Sequence, residues 1–135
     1  MSKVLIIEDD VLFRDAVSEV LADADIKVAI AATGEEAIDL LREQPDVNLI
    51  LLDIFMPKMD GLSFYAYLKN ILQKDIPVII LTNLPEATRP PGVKAVLIKT
   101  NTPLDQLVEK VKFYLAEADK PSAAPTPPPP EESGS

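Results

Sequence analysis

The segment Val4–Asp10, VLIIEDD, contains the two features that decide the fold. Its first four residues form an uninterrupted apolar run, which is typical of a short strand buried on both faces of a parallel sheet. Three acidic residues follow directly, at the carboxyl end of this predicted strand. Open parallel sheets bind their ligands at the carboxyl ends of the strands. The segment therefore predicts a central strand with a polar site at its end.

More apolar runs repeat this pattern along the chain, and segments with helical spacing lie between most of them. The further predicted strands are Ile26–Ala31, Leu49–Leu52, Val78–Leu81 and Ala95–Ile98. The predicted helices are Val11–Ala24, Thr33–Arg42, Leu62–Leu72 and Thr102–Ala118. This alternation predicts an α/β fold: a doubly wound, five-stranded parallel sheet with helices on both faces. Because right-handed crossovers leave few topologies, we expect the flavodoxin-like strand order 2-1-3-4-5, in which strands 1 and 3 are neighbours.

Two of the predicted helices begin with recognisable start signals. Thr33 and Glu36 have the spacing of a capping box, in which Thr33 accepts from the Glu36 amide and the Glu36 side chain reaches back. Before the last helix, Thr102 is a capping residue, Pro103 takes the first helical position and Asp105 lies in the first turn. These signals fix where both helices are expected to start.

The connection between strands 4 and 5 is the region that departs from regular alternation. It comprises the 12 residues Asn83–Lys94, which include Pro85, Pro90, Pro91 and Gly92. A parallel crossover needs about 10–12 residues, so this segment can span the distance without a regular helix. Pro90 and Pro91 would stop any helix begun at Pro85 after about one turn. We therefore predict that the fourth helix is missing or reduced to a turn.

The composition excludes several kinds of site and partner. The 135 residues contain no Cys and no His, which excludes disulfides, thiolate or histidine metal sites and a Ser-His-Asp triad. The formal charge of −9 argues against direct binding of nucleic acid, whose phosphates repel an acidic surface. No apolar stretch approaches the roughly 18 residues of a membrane helix, and no signal peptide is visible. We expect a cytoplasmic protein that does not insert into a membrane.

All predicted elements lie in residues 1–119, and residues 120–135 have a different composition. The second segment contains a proline run from Pro127 to Pro130 among small and polar residues. It has no apolar periodicity that could build a core, so we expect a disordered Pro-rich tail with polyproline II character. A solvated terminus, a linker and a Pro-rich docking ligand all remain open for it.

Four predicted strands end in polar residues that together would form a phosphate-sized site. Strand 1 ends at Glu8 and Asp9, strand 3 at Asp53, strand 4 at Thr82 and strand 5 at Lys99. Several carboxylates in one crevice require a cation, and a pocket with oxygen ligands alone favours Mg²⁺. A carboxylate beside such a cation can attack a phosphoryl group. Each residue alone has an ordinary structural explanation, such as acids at a helix N-terminus, and only their combination indicates a site.

With these residues, the chain resembles the receiver domain of two-component response regulators over about residues 1–119. The resemblance rests on five motifs: VLIIEDD at 4–10, LLDIFMP at 51–57, DG at 60–61, ILT at 80–82 and LIK at 97–99.

The resemblance implies a role for each site residue. Asp53 would be the phosphoacceptor, and Thr82 and Lys99 would contact the phosphoryl oxygens. Mg²⁺ would be held directly by Asp9 and through water by Glu8. The acceptor Asp53 would be a further metal ligand, together with the main-chain carbonyl of residue 55, a phenylalanine (Phe55).

Several positions differ from the usual pattern of the family. Val96 stands where an aromatic residue usually moves with the hydroxyl, so that rotamer switch is not available. Thr100 follows Lys99 where the family has a cis-bonded proline; a cis bond before Thr would cost about 3 kcal/mol, so we expect Lys99 to approach by a different path. Asn83 replaces a small residue and is expected to narrow the entrance for phosphate. These changes leave the acceptor chemistry intact and alter the readout.

Two further positions bear on the lifetime of the phosphorylated state. The family tunes self-hydrolysis with the residues two after the acceptor and two after the threonine. Here they are Phe55 and Leu84, which are apolar and place water poorly. We therefore expect slow loss of the phosphoryl group.

The resemblance implies a phosphorylation-controlled signalling switch. A histidine kinase or phosphotransfer protein would donate the phosphoryl group, and a downstream protein would read either the altered 4–5 region or the first and last helices. One alternative is a phosphorylation-independent interaction scaffold with a vestigial pocket. Another is a phosphatase that uses Asp53 as a nucleophile, but Ile54 and Phe55 stand where it would need a second carboxylate. We expect no enzymatic activity beyond the protein's own phosphorylation and dephosphorylation.

Overall fold

The structure confirms the predicted alternation of strands and helices. The computed structural model describes residues 3–44, 46–54, 61–70, 72, 75–83 and 89–119. The strands are β1 (Lys3–Ile7), β2 (Lys27–Ala31), β3 (Leu49–Asp53), β4 (Val78–Thr82) and β5 (Ala95–Ile98). The helices are α1 (Val11–Asp23), α2 (Gly34–Glu43), α3 (Gly61–Asn70) and α4 (Leu104–Asp119). A 3₁₀ turn, Lys99–Asn101, follows β5 directly.

The five strands form one parallel sheet in the order β2-β1-β3-β4-β5, which confirms the predicted topology. Asp53, the last residue of β3, is in register with Leu81 of β4. Thr82, the last residue of β4, is in register with Ile98 of β5. Because neighbouring strands run in the same direction, this register brings the polar residues at the strand ends to one edge of the sheet.

The core lies in two layers, one on each face of the sheet, and β1 contributes to both. Leu5 and Ile7 pack into the layer under α2 and α3, while Val4 and Ile6 pack into the layer under α1 and α4. All four side chains are fully buried, and each buried aliphatic side chain contributes about 1.5–3 kcal/mol. Burial on both faces explains why the β1 sequence is continuously apolar rather than alternating.

Two helix starts show how local sequence determines local structure. The Thr33 Oγ1 accepts a hydrogen bond from the Glu36 amide at 3.1 Å, as the capping box predicts. The Glu36 side chain reaches back one residue further than predicted and accepts from the Ala32 amide at 2.9 Å. In α1, Asp10 is the N-cap, because its Oδ1 accepts from the amides of Leu12 and Phe13 at 3.1 and 3.3 Å.

The described part of the β4–β5 connection, Asn83 and 89–94, contains no helix, which fits the predicted loss or reduction of the fourth helix. Residues 84–88, including Pro85, lie outside the described residues. The Pro90 carbonyl accepts from the Val93 amide at 3.2 Å, which closes a turn. Gly92 adopts a φ of 86° in this turn, and a Cβ there would collide with the Tyr65 hydroxyl of α3.

The predicted helix boundaries differ from the structure by at most two residues, as the last and third helices illustrate. The last helix begins at Leu104, one residue after Pro103, whose carbonyl accepts from the Leu107 amide at 3.0 Å. The third helix runs from Gly61 to Asn70, whereas Leu62–Leu72 was predicted, since local propensity defines helix ends poorly. No helix within the described ranges has the length and apolar composition needed to cross a lipid bilayer. The predicted tail, 120–135, lies outside the described residues.

Candidate functional site

Glu8 lies directly after β1 and is fully buried, which is an uncommon position for a carboxylate. Its Oε2 accepts a hydrogen bond from the Asp10 amide at 3.0 Å. Its Oε1 lies 2.7 Å from the Nζ of Lys99. A buried charge requires such partners, because removing it from water without them costs several kcal/mol. The β1–α1 turn and Lys99 therefore hold Glu8 in place together.

Asp53 is the last residue of β3 and is 5% exposed. One of its oxygens, Oδ2, lies 3.7 Å from the Lys99 Nζ. Because Asp53 ends a central strand whose other residues are all buried, the sheet fixes its backbone and aims its carboxylate at the crevice beyond β1 and β3. A carboxylate in this position is held firmly and remains within reach of a ligand that enters from the edge.

Three acidic residues converge where β1 and β3 end. Glu8, Asp9 and Asp53 each offer a carboxylate oxygen, and these oxygens all lie within 4.8 Å of one another. With Lys99, the group has a formal charge of −2, from three carboxylates and one ammonium. The carboxylates repel each other, and a hard divalent cation with oxygen ligands relieves that repulsion. The donor set therefore fits Mg²⁺, with the exposed Asp9 at the open side.

Lys99 reaches the acids even though no proline follows it. Its backbone leaves β5 into the 3₁₀ turn Lys99–Asn101, and every peptide bond in the described ranges is trans. The side chain is 13% exposed and its ammonium contacts both buried acids. The ammonium therefore arrives in the crevice from a backbone that contains only trans peptide bonds at this point.

Thr82 is the fully buried last residue of β4, one position beyond the residue that pairs with Asp53. The sheet therefore places its hydroxyl at the same edge as the acids. Asn83 follows and is exposed. Val96 packs into the layer under α2 and α3, where it is half-buried. Phe55, whose carbonyl the resemblance implies as a metal ligand, lies outside the described residues.

Three residues near the site make contacts that did not follow from the sequence. Asp10, which had no predicted role, caps α1 and donates its amide to Glu8. The Arg14 Nη1 donates to the Glu8 carbonyl at 3.4 Å. The ring of Phe13 lies 4.7 Å from the Lys99 ammonium, measured to the ring centroid. The cap could have been predicted from the helix start, but the other two contacts depend on how α1 packs.

Comparisons with known proteins agree on one family. The sequence-family model for the response regulator receiver domain matches residues 4–112. A protein-glutamate methylesterase/protein-glutamine glutaminase of Anaeromyxobacter dehalogenans is 36% identical over 90% of this chain and 35% of its own length. The probable transcriptional regulator ycf27 of Cyanophora paradoxa is 31% identical over 92% of this chain and 52% of its own length. The chain thus spans about one third to one half of these curated relatives.

Solved structures give the same result. A CheY-like receiver domain protein of Methanospirillum hungatei superposes with a TM-score of 0.74 at 33% identity, covering 87% of this chain and 96% of that one. The response regulator TrrA of Thermotoga maritima, solved in complex with Mg²⁺-BeF, superposes with a TM-score of 0.75 at 26% identity, covering 84% of this chain and 99% of that one.

Proposed function

The chain belongs to the response regulator receiver domain family, and we propose that it is a signalling switch controlled by phosphorylation of Asp53. In this proposal a histidine kinase or phosphotransfer protein donates the phosphoryl group, and the modified domain presents a changed surface to a downstream protein. The observation that carries the proposal is the convergence of three carboxylates and the Lys99 ammonium at the ends of β1, β3 and β5.

The proposed reaction is the transfer of a phosphoryl group to one carboxylate oxygen of Asp53. A bond forms between that oxygen and phosphorus as the bond from phosphorus to the donor nitrogen breaks, and the donor imidazole leaves with that electron pair. Burial of Asp53 and its position at the end of a rigid strand keep the nucleophilic oxygen oriented toward the crevice. The product is an acyl phosphate on a side chain that belongs to the core of the fold.

Glu8, Asp9 and Asp53 would hold Mg²⁺, and the carbonyl of Phe55 is proposed as a further ligand. Bound Mg²⁺ supplies positive charge to phosphoryl oxygens during transfer. The oxygen-only donor set supports this choice of cation, and the Thermotoga maritima relative was solved with Mg²⁺-BeF.

Lys99 and Thr82 are proposed to contact the phosphoryl oxygens once Asp53 is modified. Lys99 lies 3.7 Å from Asp53 now, so a phosphoryl group on that carboxylate comes within reach of its ammonium. Thr82 lies at the end of the strand next to Asp53 and carries a hydroxyl donor. These two donors would exchange their present partners for phosphate oxygens, which links the chemistry to β4 and β5.

Several parts of the proposal concern the chain as a whole. We take residues 1–119 as the receiver domain, residues 120–135 as a Pro-rich tail and the cytoplasm as the location. No enzymatic activity beyond the gain and loss of its own phosphoryl group is proposed for these residues, although one relative is named as a methylesterase. The acidic composition, with a formal charge of −9, supports a protein as the downstream partner and not nucleic acid.

A phosphorylation-independent scaffold remains the second candidate, and one experiment separates the two functions. Wild type and Asp53→Asn are incubated with acetyl phosphate and Mg²⁺ and followed by intact mass. The switch predicts a gain of one phosphoryl group in wild type and none in the variant. A folded wild type that gains nothing would leave the scaffold as the better account.

The lifetime of the phosphorylated state gives a second test. Phe55 and Leu84 are apolar at the positions expected to place the hydrolytic water. We therefore expect the phosphorylated protein to lose its group slowly, over minutes or longer, when excess donor is removed and the mass is followed with time. A half-life of seconds would contradict this expectation and would show that water reaches the acyl phosphate readily.

A further inference from the structure

The Lys99 ammonium has an aromatic neighbour as well as its two carboxylates. It lies 2.7 Å from the Glu8 Oε1, 3.7 Å from the Asp53 Oδ2 and 4.7 Å from the centroid of the Phe13 ring. The side chain is 13% exposed, so these neighbours shield most of it from water. A cation at this distance over an aromatic face is attracted by the ring quadrupole, and more strongly where water is excluded.

The Phe13 ring is fixed by the fold and not by Lys99. The Phe13 amide donates to the Asp10 Oδ1 at 3.3 Å, so the cap of α1 sets its backbone. Its side chain packs against the core layer under α1 and α4. The ring is therefore a rigid surface, whereas the lysine stem is a flexible chain of four carbons.

We propose that Phe13 is a positioning residue, whose ring holds the Lys99 ammonium where it can contact a phosphoryl group on Asp53. This inference rests on the proposed function. The ring contact consumes none of the three N–H donors of the ammonium, so all of them remain available to oxygen atoms. Glu8 cannot serve in the same way, because its carboxylate would be shared with a divalent cation. The ring keeps the same partner before and after phosphorylation.

The size of the effect follows from the strength of such contacts. A cation–π contact in a partly desolvated site corresponds to about a 3- to 30-fold change in an equilibrium or rate. Removing the aromatic face is therefore expected to slow phosphorylation of Asp53 by that factor without abolishing it.

The experiment compares Phe13→Leu with Phe13→Tyr and with a matched control, Phe113→Leu. Leucine keeps an apolar side chain at position 13 and removes the π face, whereas tyrosine keeps that face. Phe113 is an aromatic residue of α4 that is 42% exposed and has no part in the proposed site, so it reports the general cost of the same substitution. If Phe13→Leu does not fold, Phe13→Met takes its place, since methionine also fills apolar space without a ring.

Two readouts are measured on each folded variant. The first is the proton shift of the Lys99 ε-methylene in protein with labelled lysine, assigned with Lys99→Arg, because a ring above the group displaces this signal upfield. The second is the initial rate of phosphorylation by acetyl phosphate with Mg²⁺, followed by intact mass. The first readout shows whether the ring lies over the ammonium, and the second shows whether that contact affects phosphoryl transfer; a slower rate with an unchanged methylene signal would also overturn the proposal.

The proposal predicts that Phe13→Leu loses the upfield shift and is phosphorylated about 3- to 30-fold more slowly, while Phe13→Tyr and Phe113→Leu behave as wild type. A Phe13→Leu protein with an unchanged rate would overturn the positioning role, whether or not the shift is lost. If wild type itself gains no phosphoryl group, the proposed function fails and the positioning role fails with it. Failure of the proposed function can be told apart from failure of the positioning role alone, because only the former prevents phosphorylation of the wild type.

Discussion

The crevice between β1 and β3 and the connection between β4 and β5 are held by different kinds of contact. In the crevice, the acids Glu8 and Asp53 are almost fully buried and Lys99 pairs with both. In the described part of the connection, backbone turns and neutral carbonyl acceptors supply the contacts: Tyr65 donates to the Pro91 carbonyl at 2.9 Å, Arg89 to the Val93 carbonyl at 2.9 Å and Tyr114 to the Lys94 carbonyl at 3.3 Å. Buried charges tolerate little change, whereas exposed turns generally tolerate changes in sequence; Gly92 is the exception in this turn, because its positive φ and the nearby Tyr65 hydroxyl restrict it.

The connection starts at Asn83, directly after Thr82 at the carboxyl edge, but its described turn, residues 89–94, leads to the opposite edge of the sheet. The crevice is at the carboxyl edge, whereas the Lys94 amide donates to the carbonyl of Val78, the first residue of β4, at 2.9 Å. Residues 89–94 can therefore change in sequence without direct contact with the acids.

The largest predicted effect concerns the crevice and compares two adjacent acids. Asp9→Asn removes one of the three clustered carboxylates, and we expect Mg²⁺ affinity to fall by at least about 10- to 100-fold. Asp10→Asn is the matched control, because asparagine can still cap α1 and the Asp10 side chain is not in the cluster. Titration with Mg²⁺, followed by calorimetry or amide shifts, measures both. Equal losses in the two variants would mean that general charge, and not the cluster, binds the cation.

The next prediction tests whether the β4–β5 connection is separate from the crevice. Gly92→Ala places a Cβ at a φ of 86° and against the Tyr65 hydroxyl, so the free energy of unfolding should fall by about 1–2 kcal/mol. The rate of Asp53 phosphorylation should stay the same. Urea denaturation and intact mass measure these two quantities.

Tyr65→Phe sharpens the same comparison. Loss of its hydrogen bond to Pro91 should lower the free energy of unfolding by about 0.5–1.5 kcal/mol. In the double variant with Gly92→Ala, the collision with the hydroxyl is absent. The double variant should therefore lose less free energy of unfolding than the sum of the losses in the two single variants. Strict additivity would show that Gly92 is required for its backbone conformation alone. A change in phosphorylation rate in any of these variants would show that the two regions are coupled.

The smallest predicted effect lies at the amino end of β1, away from both regions. The hydrogen bond from the Lys3 side chain to Asp46 lowers the pKa of that carboxyl from its ordinary 3.8. A lowered carboxyl pKa stabilises the fold above the unfolded value, and this contribution is lost as pH falls through the folded pKa. Asp46→Asn should therefore be slightly less stable than wild type at neutral pH and equal to it in acid. Because the pair is exposed, high salt should remove the difference; a difference that persists in acid would contradict this cause.

The strands that are easiest to predict from the sequence are those buried on both faces of the sheet. β1, β3 and β4 are buried on both faces, and this environment leaves a continuous apolar run that is easily read. The site followed from topology, because parallel strands bring their carboxyl ends together once the order is known.

The remaining contacts depend on packing between residues that are distant in sequence. The pairs Phe13–Lys99 and Tyr65–Pro91 join elements whose relative position no local pattern specifies. Phe13 lies within a helix that the sequence predicts, but the sequence does not show which side chain its ring meets. The same limit applied to Arg14, whose contact with the Glu8 carbonyl depends on how α1 lies against β1.

The central claim is that phosphorylation of Asp53 changes a surface, and amide NMR of the wild type before and after phosphorylation tests it most directly. The Asp53→Asn variant, treated with acetyl phosphate and Mg²⁺ in the same way, is the control. The account predicts that amides around Glu8 and Lys99 shift in the phosphorylated wild type, that the shifts extend to residues 89–94 or to α1 and α4, and that the variant shows none of the phosphorylation-dependent shifts. Shifts that stop at the pocket, or a variant that responds as the wild type does, would contradict it.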